Sequence, residues 1–199
     1  AVVGYGEGTR GALLLALKDP RVVALVSLDG GIGEAENRDW LKGSHVSTAA
    51  FATPILHIFE DRESGRTPDF RFLASLSRAD RLILKTSGLD RLDFTSFGMA
   101  RAVVQGVGPG PVPDKARERR IAAVLRYTRA FLEAKVEGSE SEAALLGLEP
   151  SAAGYGETFP HAIRLRAREG GGVCAPWAQG TKGGSQPRKG ARHPPPASP

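Results

Sequence analysis

The stretch Gly4-Tyr5-Gly6-Glu7-Gly8-Thr9-Arg10-Gly11 packs more potential chemistry into eight residues than any other part of the chain. An apolar run, AVVGY, precedes its turn and a helix-forming run, TRGALLLALKD, follows it, so it reads as strand, sharp turn, helix. Two chemistries use such a turn. Gly6, Gly8 and Gly11 fit the G-x-G-x-x-G spacing of a dinucleotide loop, and Asp29 stands where an acid would bind the ribose. Against that reading, Glu7 would set a carboxylate beside the pyrophosphate that the helix N-terminus should attract. Nor does the chain show a constellation downstream to face a nicotinamide or its substrate. Alternatively, Gly4 and Gly8 flank the central position of a nucleophile elbow, G-x-S-x-G, and Gly6 occupies that position. Glycine adopts the strained backbone of an elbow at little cost but brings no attacking atom.

Other chemistry-bearing residues are scattered. Thr9 falls in the first turn of the helix, directed away from a site above the turn, and Ser27 lies in an apolar run. His57, in the middle of PILHIF, reads as a buried histidine with a satisfied ring; His45, His161 and His193 read as solvated. Cys174 is the only cysteine, which excludes an intrachain disulfide, and no neighbouring charge activates its thiol. Four dispersed histidines and one cysteine give no metal-ligand spacing, so neither metal nor cofactor is expected.

The elements that must position these residues alternate. AVVGY, VVALVSLD, TPILHIFE and RLILKTS are strand-like, and the second is apolar throughout, as in a strand covered on both faces. Between or after them come the helical segments TRGALLLALKD, PDFRFLASLS with a proline at its start, DKARERRIAAVLRYTRAFLEAK and SESEAALLG, with Gly147 closing the last. In the long one, Asp114 is the expected N-cap, and Ile121, Val124, Leu125, Thr128, Phe131, Leu132 and Val136 form the apolar stripe. Alternation of this kind predicts the α/β class, with a parallel sheet and crossover helices.

Composition divides the chain into residues 1–150 as the folded unit, 151–167 as an irregular extension, and 168–199 as a disordered basic tail rich in glycine and proline. The net charge of +5 resides mostly in that tail, where five basic residues accompany one acid; residues 1–167 hold 22 basic and 21 acidic residues. Without a cationic cluster in the folded unit, no nucleic-acid partner is expected. No apolar run approaches the ~20 residues of a bilayer span, so no membrane partner is expected either. Because residue 1 opens a strand that should be buried, the chain reads as the C-terminal part of a longer protein that contributes the upstream strands, without which the first strand is an apolar sheet edge.

VVGYGEGTRGALLLALKDPRVVALVSLDGG resembles the elbow region of α/β-hydrolases, in the branch of dienelactone hydrolases and platelet-activating factor acetylhydrolases. TPILHIFEDRES and SGLDRLDFTSFG are similar to that branch's acid-bearing strand and histidine segment, and VLRYTRAFLEAKVEG to its final helix, so the resemblance spans residues 1 to about 147. It implies a partial hydrolase fold and a Ser–Asp–His triad. The nucleophile position falls on Gly6, and the acid on Asp29 or, in the other sub-branch, on Asp61 or Glu63, which also read simply as caps at a strand end. The histidine position falls on Arg91, which stays protonated and cannot serve as a base near neutral pH. The Glu7 N–H would be the remaining oxyanion donor. The implied protein is esterase-like in form and inactive, with a pocket for a small ester-like or acyl ligand; an esterase with an unconventional nucleophile is the other enzymatic expectation. Arg91 and Asp29 are expected to form an ion pair, because a buried carboxylate left alone is costly.

Overall fold

The computed structural model describes residues 1–35, 40, 43, 48–60, 68–103 and 114–167. Asp61, Glu63, His45, His193, Cys174 and the basic tail lie outside the described residues. Four strands, β1 (Val2–Tyr5), β2 (Leu25–Leu28), β3 (Ile55–Glu60) and β4 (Arg81–Thr86), lie side by side in chain order and pair in parallel. A fifth, β5 (His161–Leu165), pairs antiparallel with β4. The chain is therefore of the α/β class, with a mostly parallel five-stranded sheet.

Side-chain alternation along the strands builds two cores. Leu25, Ile55 and Ile83 face Ala12, Leu13 and Ala16 of α1 (Gly8–Lys18) and Leu73 of α2 (Arg71–Ser75). Val26, Leu56, Ile58 and Leu84 face α4 (Lys115–Leu132), through Ile121, Val124, Tyr127 and Phe131. Covering on both faces explains why these strands read as continuous apolar runs. The remaining helices are α3 (Ser96–Val103) and α5 (Glu140–Gly147); α4 runs on into a π-helical turn, Glu133–Glu137. The Asp114 side chain accepts from the Arg117 amide and caps α4 as expected.

The structure corrects the sequence reading in four places. The extension over 151–167 is not irregular throughout, since it supplies β5, and the sheet is not wholly parallel. HAIRL alternates weakly and is nowhere fully buried, so edge pairing with β4 makes it a strand where its own pattern does not. The stripe of α4 runs through Tyr127 and Ala130, whereas Leu125 and Val136 are half exposed; the wider π turn swings Val136 off the buried face. The second helix begins at Arg71 rather than at its proline, because Pro68 bridges Glu34. Gly147 is the last residue of its helix, and Leu148 caps it.

Candidate functional site

The turn between β1 and α1 lies at the carboxyl end of the sheet. Gly6 there has φ +51, a left-handed backbone that side-chain-bearing residues rarely adopt. Gly4 is required for a different reason: a Cβ on it would stand 2.5 Å from Thr9 Cα, where helix α1 presses against the strand. Gly8 and Gly11, in contrast, have nothing within 4 Å of where a Cβ would be. The glycines under physical constraint are thus Gly4 and Gly6. In a dinucleotide loop the third glycine serves close helix–strand packing, and Gly11 has no such duty. Of the three glycines of the G-x-G-x-G spacing, Gly4 is required by packing and Gly6 by its left-handed backbone, whereas Gly8 has room for a side chain.

Asp29 follows β2 directly and is the one described non-glycine residue at positive φ, +46. Its amide donates to Ile58 O at 2.7 Å, which ties the residue to the neighbouring strand, and its side chain is 4% exposed. Asparagine and aspartate tolerate this backbone better than other side chains, and residues held in it cluster at functional sites.

Arg91 arrives from the loop after β4. It opens a 3₁₀ turn, Arg91–Phe94, that is fixed at both ends: Asp90 Oδ1 accepts from the Leu92 amide at 2.9 Å, and Asp93 Oδ2 accepts from the Asp90 amide at 2.7 Å. Arg117 of α4 clamps the same pair, donating to Asp93 at 2.6 and 2.8 Å and to Asp90 at 3.3 Å. Burial alone would lower the pKa of Arg117, but the two carboxylates outweigh it and hold the pKa above the ordinary guanidinium value. From the other side, the Tyr5 hydroxyl donates to the Arg91 carbonyl at 3.1 Å, and the Arg91 guanidinium lies 5.7 Å from the Tyr5 ring centre.

So held, Arg91 reaches back over the turn. Its Nε stands 3.9 Å from Asp29 Oδ2, and its Nη2 stands 2.5 Å from where a Cβ on Gly6 would be. Three positions far apart in sequence thus meet, and a guanidinium fills the space that a side chain on Gly6 would take. Glu7, the N-cap of α1, turns its own carboxylate away to Arg10 at 2.8 Å, and Arg10 in turn lies over the Trp40 ring. Chemically, the arrangement offers one cation, one buried carboxylate and the opening amides of a helix. The one hydroxyl of the turn, that of Tyr5, is engaged with the Arg91 carbonyl, and Gly6 itself carries no attacking atom.

Beneath it lies a second polar group that the sequence does not announce. Ser27 and His57 are register partners across β2 and β3, and Ser27 Oγ stands 2.9 Å from His57 Nδ1. Both are buried, and burial pushes the His57 pKa down to about 3. Thr9 Oγ1 is also buried and makes no hydrogen bond, in the packing beneath Gly30. His57 is thus the satisfied core histidine that was expected, and Ser27 and Thr9 face the interior. Among the described residues no group of three or more potential ligands is placed to hold a metal ion, and no helix is long and apolar enough to cross a membrane. Tyr5, Asp90, Asp93 and Arg117 were missed as positioning residues. Only the position of Tyr5 inside the glycine turn could have pointed to one of them.

Compared with known proteins, the chain matches no protein-family model and no curated protein sequence.

Proposed function

We propose that this chain is an α/β-hydrolase-like domain, of the esterase or dienelactone hydrolase type, that has lost its chemistry and retains a site for a small ester-like or acyl ligand. The observation that carries this reading is the meeting of Gly6, Asp29 and Arg91 at the carboxyl end of the sheet, in the chain order nucleophile, acid, base of that fold. Each position is occupied by a residue that forfeits or inverts the original role. Gly6 keeps the backbone of an elbow and removes the attacking oxygen. Arg91 supplies a fixed positive charge where a base must take up and release a proton. Asp29, with no imidazole to orient, becomes the counter-ion of that charge.

A ligand at this site would meet the Glu7 and Gly8 amides at the start of α1 and the guanidinium of Arg91. These donors suit a carbonyl or carboxylate oxygen, and nothing there attacks the carbon. The test is turnover of short-chain p-nitrophenyl esters by the chain and by Gly6→Ser/Arg91→His. The expected result is a background rate for the unaltered chain and a measurable gain for the double variant. Turnover by the unaltered chain would overturn the inactive reading. A correctly folded double variant that stays silent would remove the elbow assignment.

A further inference from the structure

At the opposite end of the sheet, where β3 and β4 begin and β5 ends, the structure holds a half-open cleft of about 80 Å³. Its floor is apolar: Ile55, Leu82, Phe131, Leu146 and Leu165. Its charged lining comprises Lys135, Arg164 and Arg166 and one carboxylate, Asp80; Arg81 also borders it, but its guanidinium is buried and donates to the carbonyls of Leu76 and Ala79. That single acid is already engaged. Asp80 Oδ1 accepts from the Ala167 amide at 2.9 Å, and Oδ2 faces Lys135 Nζ at 3.3 Å and Arg166 Nη1 at 3.8 Å. Burial alone would raise the Asp80 pKa, but these three partners outweigh it and hold the acid below the usual carboxylate range. One carboxylate thus answers for two cations, and the lining retains an excess of positive charge. Arg164 is bound outward, to Glu149 and to the carbonyls of Leu146 and Leu148, so that it braces α5 against β5 rather than filling the cleft.

The helix beside the cleft is irregular where it lines it. Helix α4 widens at Glu133–Glu137 into a π turn, and Ala134 and Lys135 of that turn are lining residues. A regular helix advances 100° per residue, so the extra residue of a π turn redirects every side chain after it. Such turns are energetically poor and recur at functional sites. Here the turn brings the Lys135 ammonium to the mouth of an apolar cleft.

We propose that this cleft binds a small organic carboxylate with a short apolar body, its carboxylate taken by Lys135 and Arg166 and its carbon chain laid on Phe131, Leu146 and Leu165. The volume excludes a drug-sized ligand but accommodates several heavy atoms. An apolar floor beneath a cationic rim selects an amphipathic anion over a bare mineral one. The site is separate from the Gly6–Asp29–Arg91 cluster and does not depend on how that cluster is read.

Butyrate is the probe, titrated into the full chain at constant ionic strength while amide resonances are followed by NMR. The expected result is saturable movement of the Ala143, Gly147 and Leu165 resonances at millimolar butyrate. Lys135→Gln should weaken binding about tenfold, the loss of one charge-assisted hydrogen bond. Ala143→Leu, a helix-surface change that lays a side chain across the mouth without touching a charge, should abolish it. Three outcomes would overturn the proposal: no saturable movement, binding by either variant as tight as by the unaltered chain, or inorganic phosphate moving the same resonances as strongly as butyrate.

Discussion

The guanidinium of Arg91 lies between the carboxylate of Asp29, 3.9 Å from its Nε, and the bare Cα of Gly6, so that one side chain answers two needs. It gives a buried carboxylate an opposite charge and it fills the space left above a glycine. The pair is graded, not strong: Asp29 is nearly sealed while Arg91 is 37% exposed, and water screens the cation. Arg91→Ala should therefore cost on the order of 1 kcal/mol, including the lost contact with the Tyr5 ring. Urea denaturation of both chains measures this, and an unchanged midpoint would refute the pairing.

Gly6 and Arg91 should couple. Alanine at Gly6 pays about 1–2 kcal/mol for a left-handed backbone and also meets Arg91 Nη2. In Gly6→Ala/Arg91→Ala only the backbone cost remains, so the double variant should be more stable than the sum of the single changes predicts. Strict additivity in a double-mutant cycle would mean that the guanidinium does not rest over the turn in solution.

The other glycines of the turn should divide by packing. Gly4→Ala drives a Cβ to 2.5 Å from Thr9 Cα and should destabilise by roughly 1–3 kcal/mol. Gly11→Ala enters open space inside a helix and should stabilise by roughly 0.5–1 kcal/mol. Thermal melts of the two variants check the order. A destabilising Gly11→Ala would return the dinucleotide spacing to consideration.

His57 should make the fold acid-sensitive. Its pKa is about 3 when folded and near 6.5 when exposed, so the unfolded chain takes up a proton first as the pH falls. The contribution of this residue to stability is intact above pH 6.5 and declines below it by up to about 1.4 kcal/mol per pH unit, until the folded histidine also titrates near pH 3. Denaturation midpoints measured between pH 7 and 4 should fall more steeply for the chain than for His57→Phe. Parallel slopes would show that the imidazole is not buried neutral.

What the sequence determined by itself is what neighbouring residues decide among themselves. Apolar runs between breakers made β1 to β4 legible, though β2 proved shorter than its run. The Asp114 cap and a helical period made α4 legible, because an N-cap bond closes within a few residues. The glycine turn was visible as a turn, with its two chemistries still open. The tertiary structure decided between its glycines, since only packing against Thr9 and a backbone at φ +51 distinguish Gly4 and Gly6 from Gly8 and Gly11. It also made β5 a strand, paired Ser27 with His57 across a register, and brought Tyr5 to Arg91 over a separation of 86 residues. The physical reason is the same in each case. A contact between distant residues is set by how the sheet stacks its strands and where each loop is clamped, as Arg117 clamps the Arg91 turn, and no local pattern of residue types encodes that geometry.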